Sequence, residues 1–254
     1  MPDTPPRPHA TDCWAFFLDV DGTLFEHADR PDAVRADPAV VQLLAGLRAA
    51  TGGALALISG RPVAYIDALF DPLRIPAAGL HGAERRDALG KLRSHALPEI
   101  PLRRAAARLA AFAEGNDGLI FEDKGLGLAL HFRQAPHLAV SANGIASTVA
   151  AELGAEFELQ RGKMVVEIKP GGHDKGVAIE DFLREPPFAG RVPVFVGDDL
   201  TDEYGFSVVN KMGGLSIKVG EGGTIARCRL ADASAVRSWL AKCADALRTG
   251  GVPT

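Results

Sequence analysis

The chain has 254 residues, of which 47% are hydrophobic and 24% charged, and its formal net charge is −4. This composition excludes a disordered or membrane-embedded protein, and the charge gives no basic surface for nucleic acid. Its three scattered cysteines, Cys13, Cys228 and Cys243, form neither a CxxC motif nor a zinc-ligand spacing, so we expect a reducing cytoplasmic setting and a small-molecule ligand.

The first part of the chain alternates apolar runs with an amphipathic segment. Residues 14–18 form an apolar run that stops at Asp19, as a buried parallel strand does at its carboxyl end. Apolar residues recur at helical spacing from 39 to 50, and a second apolar run, 54–58, stops at Ser59. Strand, helix and strand in this order predict a parallel sheet with right-handed crossovers.

The middle of the chain has a different pattern, in which two α-β-β units follow one another. This repeat predicts an inserted α/β domain with its own sheet. The predicted helices are 103–114 and 138–153, and the predicted strands are 118–122, 126–132, 156–159 and 164–168.

The last part of the chain returns to the first pattern. Three polar clusters, at 19–23, 59–61 and 197–202, each follow a predicted strand. Ligands of open α/β sheets bind beyond the carboxyl ends of the strands, so we expect the clusters to converge. The elements predicted here are a helix at 175–183, strands at 192–196 and 215–219, and a closing helix at 233–247.

These patterns predict an α/β fold: a doubly wound, Rossmann-like core interrupted by an α/β cap. We expect the core to comprise 13–102 and 173–254, and the cap 103–172. The first twelve residues are rich in proline and lack the apolar segment of a signal peptide, so we expect a mobile leader.

Two carboxylates one residue apart, Asp19 and Asp21, lie on the loop after the first predicted strand. One can attack phosphorus to give an aspartyl-phosphate, which divides a difficult hydrolysis into two steps. The other can protonate the leaving oxygen and then deprotonate water. The pair predicts Asp19 as nucleophile and Asp21 as general acid and base, with Gly22 allowing the backbone to approach the phosphate.

A phosphate dianion near Asp19 requires a cation that cancels charge. The 197–202 cluster supplies only oxygen ligands, which favours Mg²⁺. Ser59 and Lys175 are expected to contact phosphoryl oxygens and stabilise the transition state. Each motif alone is most often a solvated loop or a surface residue. Their order, each at a strand end or a helix start, is what predicts a phosphatase.

The chain resembles the haloacid dehalogenase phosphatases in four motifs: DVDGTL at 19–24, SGR at 59–61, Lys175, and GDD at 197–199. It resembles trehalose-6-phosphate phosphatases in longer strings: GLHGAE at 79–84, EDKGLGLALHFR at 122–133, KMVVE at 163–167 and GDDLTDE at 197–203. The resemblance covers nearly the whole chain after the leader. One departure is Tyr204, where that family usually has an acidic residue; we expect a packing change without loss of chemistry.

The resemblance implies a role for each matching residue. Mg²⁺ is expected between the Asp19 carboxylate, the Asp21 backbone carbonyl and Asp198, with Asp199 and Asp202 as outer or water-mediated partners. The other implied roles are phosphate binding by Thr23, Ser59 and Lys175, glucose binding by Glu122, Lys124, Arg133, Lys163 and Glu167, and a place at the substrate entrance for Gly60, Arg61 and His81. Nothing in the sequence pairs His81 with a metal or nucleophile, which favours a structural role for that residue.

Alternation along the cap strands supports the sugar-binding prediction. Glu122, Lys124 and Glu167 are expected on one face of the cap sheet, with Ile120, Leu128 and Val166 facing the cap helices. Donors and acceptors on one face suit sugar hydroxyls. From the pattern alone, a solvated sheet face is the alternative.

Three other functions stay open at this point. The first is a related phosphatase acting on sucrose 6-phosphate or mannosyl-3-phosphoglycerate, and the second is a sugar phosphomutase. The third is a non-catalytic sugar-phosphate sensor or a subunit of a trehalose synthase complex, against which the intact Asp19, Asp21, Lys175 and Asp198 argue. We expect a monomer, since no large apolar seam is evident, with a trehalose-6-phosphate synthase as a candidate partner.

Overall fold

The computed structural model of the protein describes residues 4–26, 37–95 and 99–249. By its internal contacts the chain divides into two compact units. Unit 1 comprises Met1–Arg93 and Asp174–Thr254, and unit 2 comprises Ser94–His173. The limits of 103 and 172 for the cap domain stay a prediction.

Twelve strands and seven α-helices are found in the described ranges. None of these helices has both the length and the apolar character needed to cross a membrane. The strands are β1 (Trp14–Leu18), β2 (Leu55–Ile58), β3 (Ala77–Gly79), β4 (Glu84–Arg86), β5 (Leu92–Ser94), β6 (Ile120–Asp123), β7 (Leu128–His131), β8 (Phe157–Gly162), β9 (Val165–Pro170), β10 (Val192–Gly197), β11 (Leu215–Val219) and β12 (Cys228–Leu230). The helices are α1 (Pro38–Ala50), α2 (Val63–Leu69), α3 (Glu99–Glu114), α4 (Ala139–Leu153), α5 (Lys175–Leu183), α6 (Asp202–Lys211) and α7 (Ala233–Thr249).

Unit 1 is built on a sheet with the strand order β12-β11-β10-β1-β2-β3-β4-β5. The six strands from β12 to β3 are parallel, and β4 is antiparallel to β3. Side chains of β1 alternate between two cores: Phe16 and Leu18 pack with α1, α2 and α7, whereas Ala15 and Phe17 pack with α5 and α6. A mainly parallel sheet with helices on both faces confirms the predicted α/β class.

The described part of the leader lies against α7. The indole Nε1–H of Trp239 donates to the Pro6 carbonyl oxygen at 3.0 Å, and Pro5 and Pro8 are buried. Beneath this contact, the ring of Phe16 lies 6.2 Å from Trp239 and 5.9 Å from Trp14. Residues 4–12 therefore have contacts that were not expected for a mobile segment.

Unit 2 has a separate antiparallel sheet in the order β6-β7-β9-β8. Helices α3 and α4 cover one face of it and share its apolar core, to which Leu128, Leu130, Val166 and Ile168 contribute. The other face is therefore left for polar side chains, because alternate residues of a strand point to opposite faces.

Candidate active site

Three loops of unit 1 meet at the carboxyl edge of the parallel strands. Asp19 follows β1 and Asp198 follows β10, and these neighbouring strands pair in register at Leu18 and Val196. The Asp19 amide donates to the Val196 carbonyl oxygen at 3.0 Å, which fixes the start of the first loop. Ser59 follows β2 on the other side of β1 and donates its amide to the Ala78 carbonyl at 2.9 Å. The predicted convergence of the three clusters is confirmed at the level of the strands that carry them.

A buried ion network lies at the centre of this edge. The Lys175 ammonium donates to Asp19 Oδ1 at 2.7 Å and to Asp202 Oδ1 at 2.6 Å, and the three side chains are 3%, 6% and 0% exposed respectively. Lys175 is the first residue of α5 and Asp202 is the first residue of α6. The starts of these two helices therefore place the charged side chains next to the loop after β1. Buried charges at such short range form one rigid electrostatic unit.

Burial and the charge of the ion-pair partner shift the pKa values of Asp19, Asp202 and Lys175 in opposite directions. Burial raises the pKa of Asp19 well above its usual value; Lys175 opposes the rise, and Asp202 and Asp198 add to it. Burial also raises the pKa of Asp202, again against Lys175. Burial by itself lowers the pKa of Lys175, but Asp19 and Asp202 outweigh it and the net direction is upward. Burial of Asp19 and Asp202, with Asp198 adding a third carboxylate nearby, therefore outweighs the stabilisation that one ammonium gives to their ionised forms.

The excess negative charge is arranged as a cation site would be. Asp19, Asp198 and Asp202 each offer an oxygen atom within 4.8 Å of the others. Oxygen-only ligands suit a hard cation such as Mg²⁺, so the residues present fit the metal that the fold family implies. Both oxygens of Asp202 are engaged, one by Lys175 Nζ and one by the Asp199 amide at 2.8 Å, which agrees with an outer role for this residue.

Two features hold Asp198 in this arrangement. The Lys218 ammonium of β11, itself buried, donates to the Asp198 carbonyl oxygen. Gly22 has φ +80°, and a Cβ built on it would lie 2.4 Å from the Asp198 carboxylate. Gly22 is therefore required both by its left-handed backbone and by the close approach of a carboxylate. Lys218 was not predicted, because it belongs to no motif and lies in a mainly apolar strand.

Thr23 and Ser59 present hydroxyl groups inside unit 1. Thr23 is fully buried, and its Oγ1 has no hydrogen-bond partner among the described residues. Ser59 is 1% exposed, and its Oγ accepts from the Arg61 amide at 3.1 Å. Buried hydroxyls are usually satisfied, so the Thr23 hydroxyl is available to an anion or a water molecule.

Arg61 is paired with the second carboxylate of the first motif. Its Nε donates to Asp21 Oδ2 at 2.8 Å and its Nη2 to Asp21 Oδ1 at 2.7 Å. The guanidinium carbon also lies 4.5 Å from the centre of the Tyr65 ring. Arg61 was expected at the substrate entrance, and its pairing with Asp21 was not predicted.

A strained turn at Leu80 and His81 is hydrogen-bonded to the loop of residues 59–61. Leu80 and His81 have φ of 50° and 56°, values that non-glycine residues rarely adopt. The His81 amide donates to the Ser59 carbonyl and the Leu80 amide to the Arg61 carbonyl, both at 3.0 Å. A Cβ on Gly60 would lie 2.8 Å from His81 Nε2, so the imidazole packs on the Gly60 backbone. These contacts favour the structural role of His81 over substrate binding.

In unit 2, one row of side chains crosses the whole sheet. Glu122, Ala129, Glu167 and Gln160 are consecutive partners in the strand register, so all four lie on the face opposite the helices. Lys124 donates to Glu167 Oε1, and His131 Nε2 lies 2.8 Å from Glu122 Oε2. The predicted acidic and basic residues are thus brought together on one face. His131 and Gln160 share this face and were missed, although the alternation in β7 and β8 could have indicated them.

The apolar side of this sheet requires one correction. Ile120 was expected to face the helices, but its register partner is His131, which places it on the polar face. Phe121 packs against the apolar core instead. The prediction of Ile120 was wrong because Ile120 and Glu122 are two residues apart and must share a face.

Lys163 and Arg133 lie at one end of the same sheet. Lys163 is on the turn between β8 and β9, next to Met164, whose φ is 65°. The Phe132 amide, one residue before Arg133, donates to the Met164 carbonyl at 3.0 Å. The two cations are therefore carried by segments that are hydrogen-bonded to each other.

The profile of the trehalose-phosphatase family matches residues 17–233. The chain belongs to the trehalose-phosphatase family. The resemblance inferred from the motifs is thereby confirmed. A trehalose-6-phosphate phosphatase of Escherichia coli (strain K12) is 47% identical over 235 residues, which covers 92% of this chain and 88% of the relative.

Two further similarities extend this family assignment. A bifunctional trehalose-6-phosphate synthase/phosphatase of Thermoproteus tenax is 33% identical over 236 residues, covering 88% of this chain and 31% of that longer protein. The crystal structure of a trehalose-6-phosphate phosphatase related protein aligns with a TM-score of 0.74 and 28% identity, covering 89% of this chain and 95% of that one. The trehalose-phosphatase fold therefore extends over both units.

Proposed function

We propose that the protein hydrolyses trehalose 6-phosphate to trehalose and phosphate through a phosphorylated Asp19. The observation that carries this proposal is the buried network of Asp19, Lys175 and Asp202 beside Asp198, in a chain of the trehalose-phosphatase family. A protein that only binds a sugar phosphate does not need a buried carboxylate held in place by a lysine ammonium at this edge of the sheet.

The proposed reaction has two displacements at phosphorus. In the first, an Asp19 oxygen forms a bond to phosphorus while the bond from phosphorus to the sugar oxygen breaks, and Asp21 gives that oxygen a proton. In the second, water attacks phosphorus, Asp21 takes its proton, and the Asp19–phosphorus bond breaks to release phosphate. Lys175, with the Thr23 and Ser59 hydroxyls, stabilises the phosphoryl oxygens in both steps.

We assign Mg²⁺ to Asp19, Asp198 and the Asp21 backbone carbonyl, with Asp199 and Asp202 as outer partners. The metal, when bound, supplies positive charge that neutralises the phosphate and favours the ionised form of Asp19. The chain itself contributes the geometry: Lys218 holds the Asp198 backbone, and Gly22 leaves room for the Asp198 carboxylate.

Recognition of the sugar is assigned to the polar face of unit 2. Glu122, Glu167 and Lys124 offer acceptors and donors side by side, and Arg133 and Lys163 are included as the resemblance implies. A site built to hydrogen-bond hydroxyl groups rejects ligands that lack them. Related sugar phosphates, sucrose 6-phosphate and mannosyl-3-phosphoglycerate, are the alternative substrates.

Two further proposals concern assembly and cellular location. The similarity to a bifunctional synthase/phosphatase supports association with a synthase as a proposal. The cytoplasmic location and the monomeric state remain predictions from the sequence. Size-exclusion chromatography with light scattering, alone and with a synthase, tests both assembly statements.

The test of function is phosphate release from trehalose 6-phosphate, sucrose 6-phosphate, glucose 6-phosphate and mannosyl-3-phosphoglycerate, with Mg²⁺ or with a chelator. Asp19→Asn is compared with Asp181→Asn, which changes a half-exposed carboxylate paired with Arg184 on α5. We expect preference for trehalose 6-phosphate, loss with chelator and with Asp19→Asn, and full activity of Asp181→Asn. Preference for another sugar would overturn the substrate, and no release from any would favour a binding protein.

A further inference from the structure

We propose that Arg61 is a positioning residue that orients the Asp21 carboxylate for proton transfer. The inference rests on the proposed function, because it assumes that Asp21 is the general acid and base. Its basis is the fork-to-fork pair, with Nε to Oδ2 at 2.8 Å and Nη2 to Oδ1 at 2.7 Å. The two side chains are 13% and 25% exposed, so the pair is largely withdrawn from water.

Arg61 is fixed along its whole length. Its amide donates to Ser59 Oγ at 3.1 Å, and its carbonyl accepts from the Leu80 amide at 3.0 Å. The guanidinium lies over the Tyr65 ring, with 4.5 Å from its central carbon to the ring centre. A cation held over an aromatic face and anchored at both backbone atoms has little freedom. The guanidinium is therefore a fixed reference for Asp21.

The geometry distinguishes orientation from simple charge compensation. Both oxygens of Asp21 accept a hydrogen bond from Arg61, and each carboxylate oxygen keeps a further lone pair. The two bonds fix the plane of the carboxylate and therefore the direction of the remaining lone pairs, one of which carries the transferred proton. A lysine ammonium offers a point charge without a plane and leaves that direction free.

This role differs from the substrate contact that the sequence suggested for Arg61. A residue that binds the substrate lowers KM, and its loss raises KM for substrates that it contacts. A residue that orients the acid acts on the rate of the step in which the leaving oxygen needs a proton. The leaving group therefore decides between the two roles.

The experiment compares Arg61→Met and Arg61→Lys with wild type on trehalose 6-phosphate and p-nitrophenyl phosphate, both with Mg²⁺. p-Nitrophenolate is a weak base that leaves without a proton. Because water attack in the second displacement also uses Asp21, the p-nitrophenol burst of the first turnover is measured instead of the steady state. Arg184→Met is the matched control, since Arg184 also pairs with a carboxylate but on an exposed helix end.

For Arg61→Met we expect kcat on trehalose 6-phosphate to fall about 10–10²-fold, with KM changed by less than about threefold. The burst rate of Arg61→Met with p-nitrophenyl phosphate should stay within about threefold of wild type. The kcat of Arg61→Lys on trehalose 6-phosphate should lie between those of wild type and Arg61→Met. On an Asp21→Asn background, Arg61→Met should cause no further loss, since a residue that acts through Asp21 has nothing left to orient.

Three results would overturn the inference. They are a rise in KM with unchanged kcat, an equal loss with both leaving groups, or an additive loss on the Asp21→Asn background. Thermal unfolding checks that each variant folds. If Arg61→Met does not fold, the comparison is made with Arg61→Lys alone. Wild-type protein inactive on trehalose 6-phosphate would refute the proposed function, whereas active wild type with unaffected Arg61 variants refutes only this inference.

Discussion

The two units bury their charged side chains to different degrees. In unit 1 the Lys175 network is sealed from water, with Asp202 fully buried. In unit 2 the polar pairs lie on a sheet face: His131 and Glu122 are each 22% exposed, and Lys124 and Glu167 are 8% and 12% exposed. Charges that act on phosphorus must be pre-organised in a dry environment, whereas side chains that recognise hydroxyl groups must exchange water for substrate. The proposed function, with chemistry in unit 1 and sugar recognition in unit 2, therefore predicts that the two tasks differ in solvent access.

Removing the cation from each kind of pair gives the largest expected contrast. Lys175→Met leaves two carboxylates buried without their partner, which costs about 3–5 kcal/mol of unfolding free energy, and phosphate release should fall about 10²–10³-fold. Lys169→Met in unit 2 is the matched change, since Lys169 is buried but its partner Glu158 is 47% exposed and can be rehydrated. Urea unfolding measures the unfolding free energy of both variants, and a phosphate-release assay measures their activity. Equal destabilisation by the two changes would contradict the division.

Two glycines with similar backbone angles provide the next comparison. Gly22 (φ +80°) lies against the Asp198 carboxylate, whereas Gly125 (φ +81°) in unit 2 has open space around it. Alanine is strained at both sites because both have positive φ, but only Gly22→Ala displaces a carboxylate. We expect Gly22→Ala to weaken Mg²⁺ binding about 10–100-fold, measured by calorimetry and by the Mg²⁺ dependence of the melting temperature. Unchanged Mg²⁺ affinity would remove Asp198 from the metal site.

A third prediction concerns the loss of folding stability that is caused by burying the Asp19 carboxylate. Below the usual pKa of 3.8 Asp19 is protonated whether the chain is folded or not. As the pH rises above that value the unfolded state ionises first, because the folded pKa is raised, and folding stability is lost. Asp19→Asn should therefore stabilise the metal-free protein at neutral pH, by about 2–4 °C in Tm for each kcal/mol.

Thermal melts with chelator at pH 4 and pH 7 check this sign, with Asp181→Asn as control. The difference in melting temperature between Asp19→Asn and wild type should increase from pH 4 to pH 7. A variant less stable than wild type at pH 7 would mean that the bond to Lys175 outweighs the burial of Asp19.

The smallest expected effect lies in unit 2. Gln160→Ala removes one polar group from the row that includes Glu122 and Glu167, and a lost hydrogen bond of about 1 kcal/mol corresponds to about a fivefold rise in KM for trehalose 6-phosphate. The p-nitrophenyl phosphate burst should not change. Gln42→Met, at an exposed position of α1, serves as control. An unaltered KM would assign Gln160 to the solvated part of the sheet face.

Local patterns were enough to predict most of the fold. The apolar runs of β1, β10 and β11 and the helical spacing of α1 and α5 have a single interpretation, because burial of a whole strand or of one helix face leaves a direct signal. Strand β3 and helix α6 gave none. Strand β3 has only three residues, two of them alanine, and α6 begins inside the acidic motif.

The positions of the candidate residues at strand ends and helix starts could be predicted from the sequence, whereas contacts between distant residues could not. Asp19 and Asp198 belong to recognisable strings, and Lys175 was expected at the start of a helix. The pair of Arg61 and Asp21 joins residues 40 positions apart, and Lys218 reaches the backbone of Asp198, 20 positions away. Such contacts follow from how strands are ordered in the sheet, and that order cannot be read from a single sequence.

The aromatic cluster of Trp14, Phe16 and Trp239 has a practical consequence for spectroscopy. Both tryptophans and both tyrosines of the chain, Tyr65 and Tyr204, belong to unit 1. Intrinsic tryptophan emission thus reports the melting of unit 1 alone, while far-ultraviolet circular dichroism follows both units. One sample of unlabelled protein can therefore reveal whether the two units unfold together or in sequence.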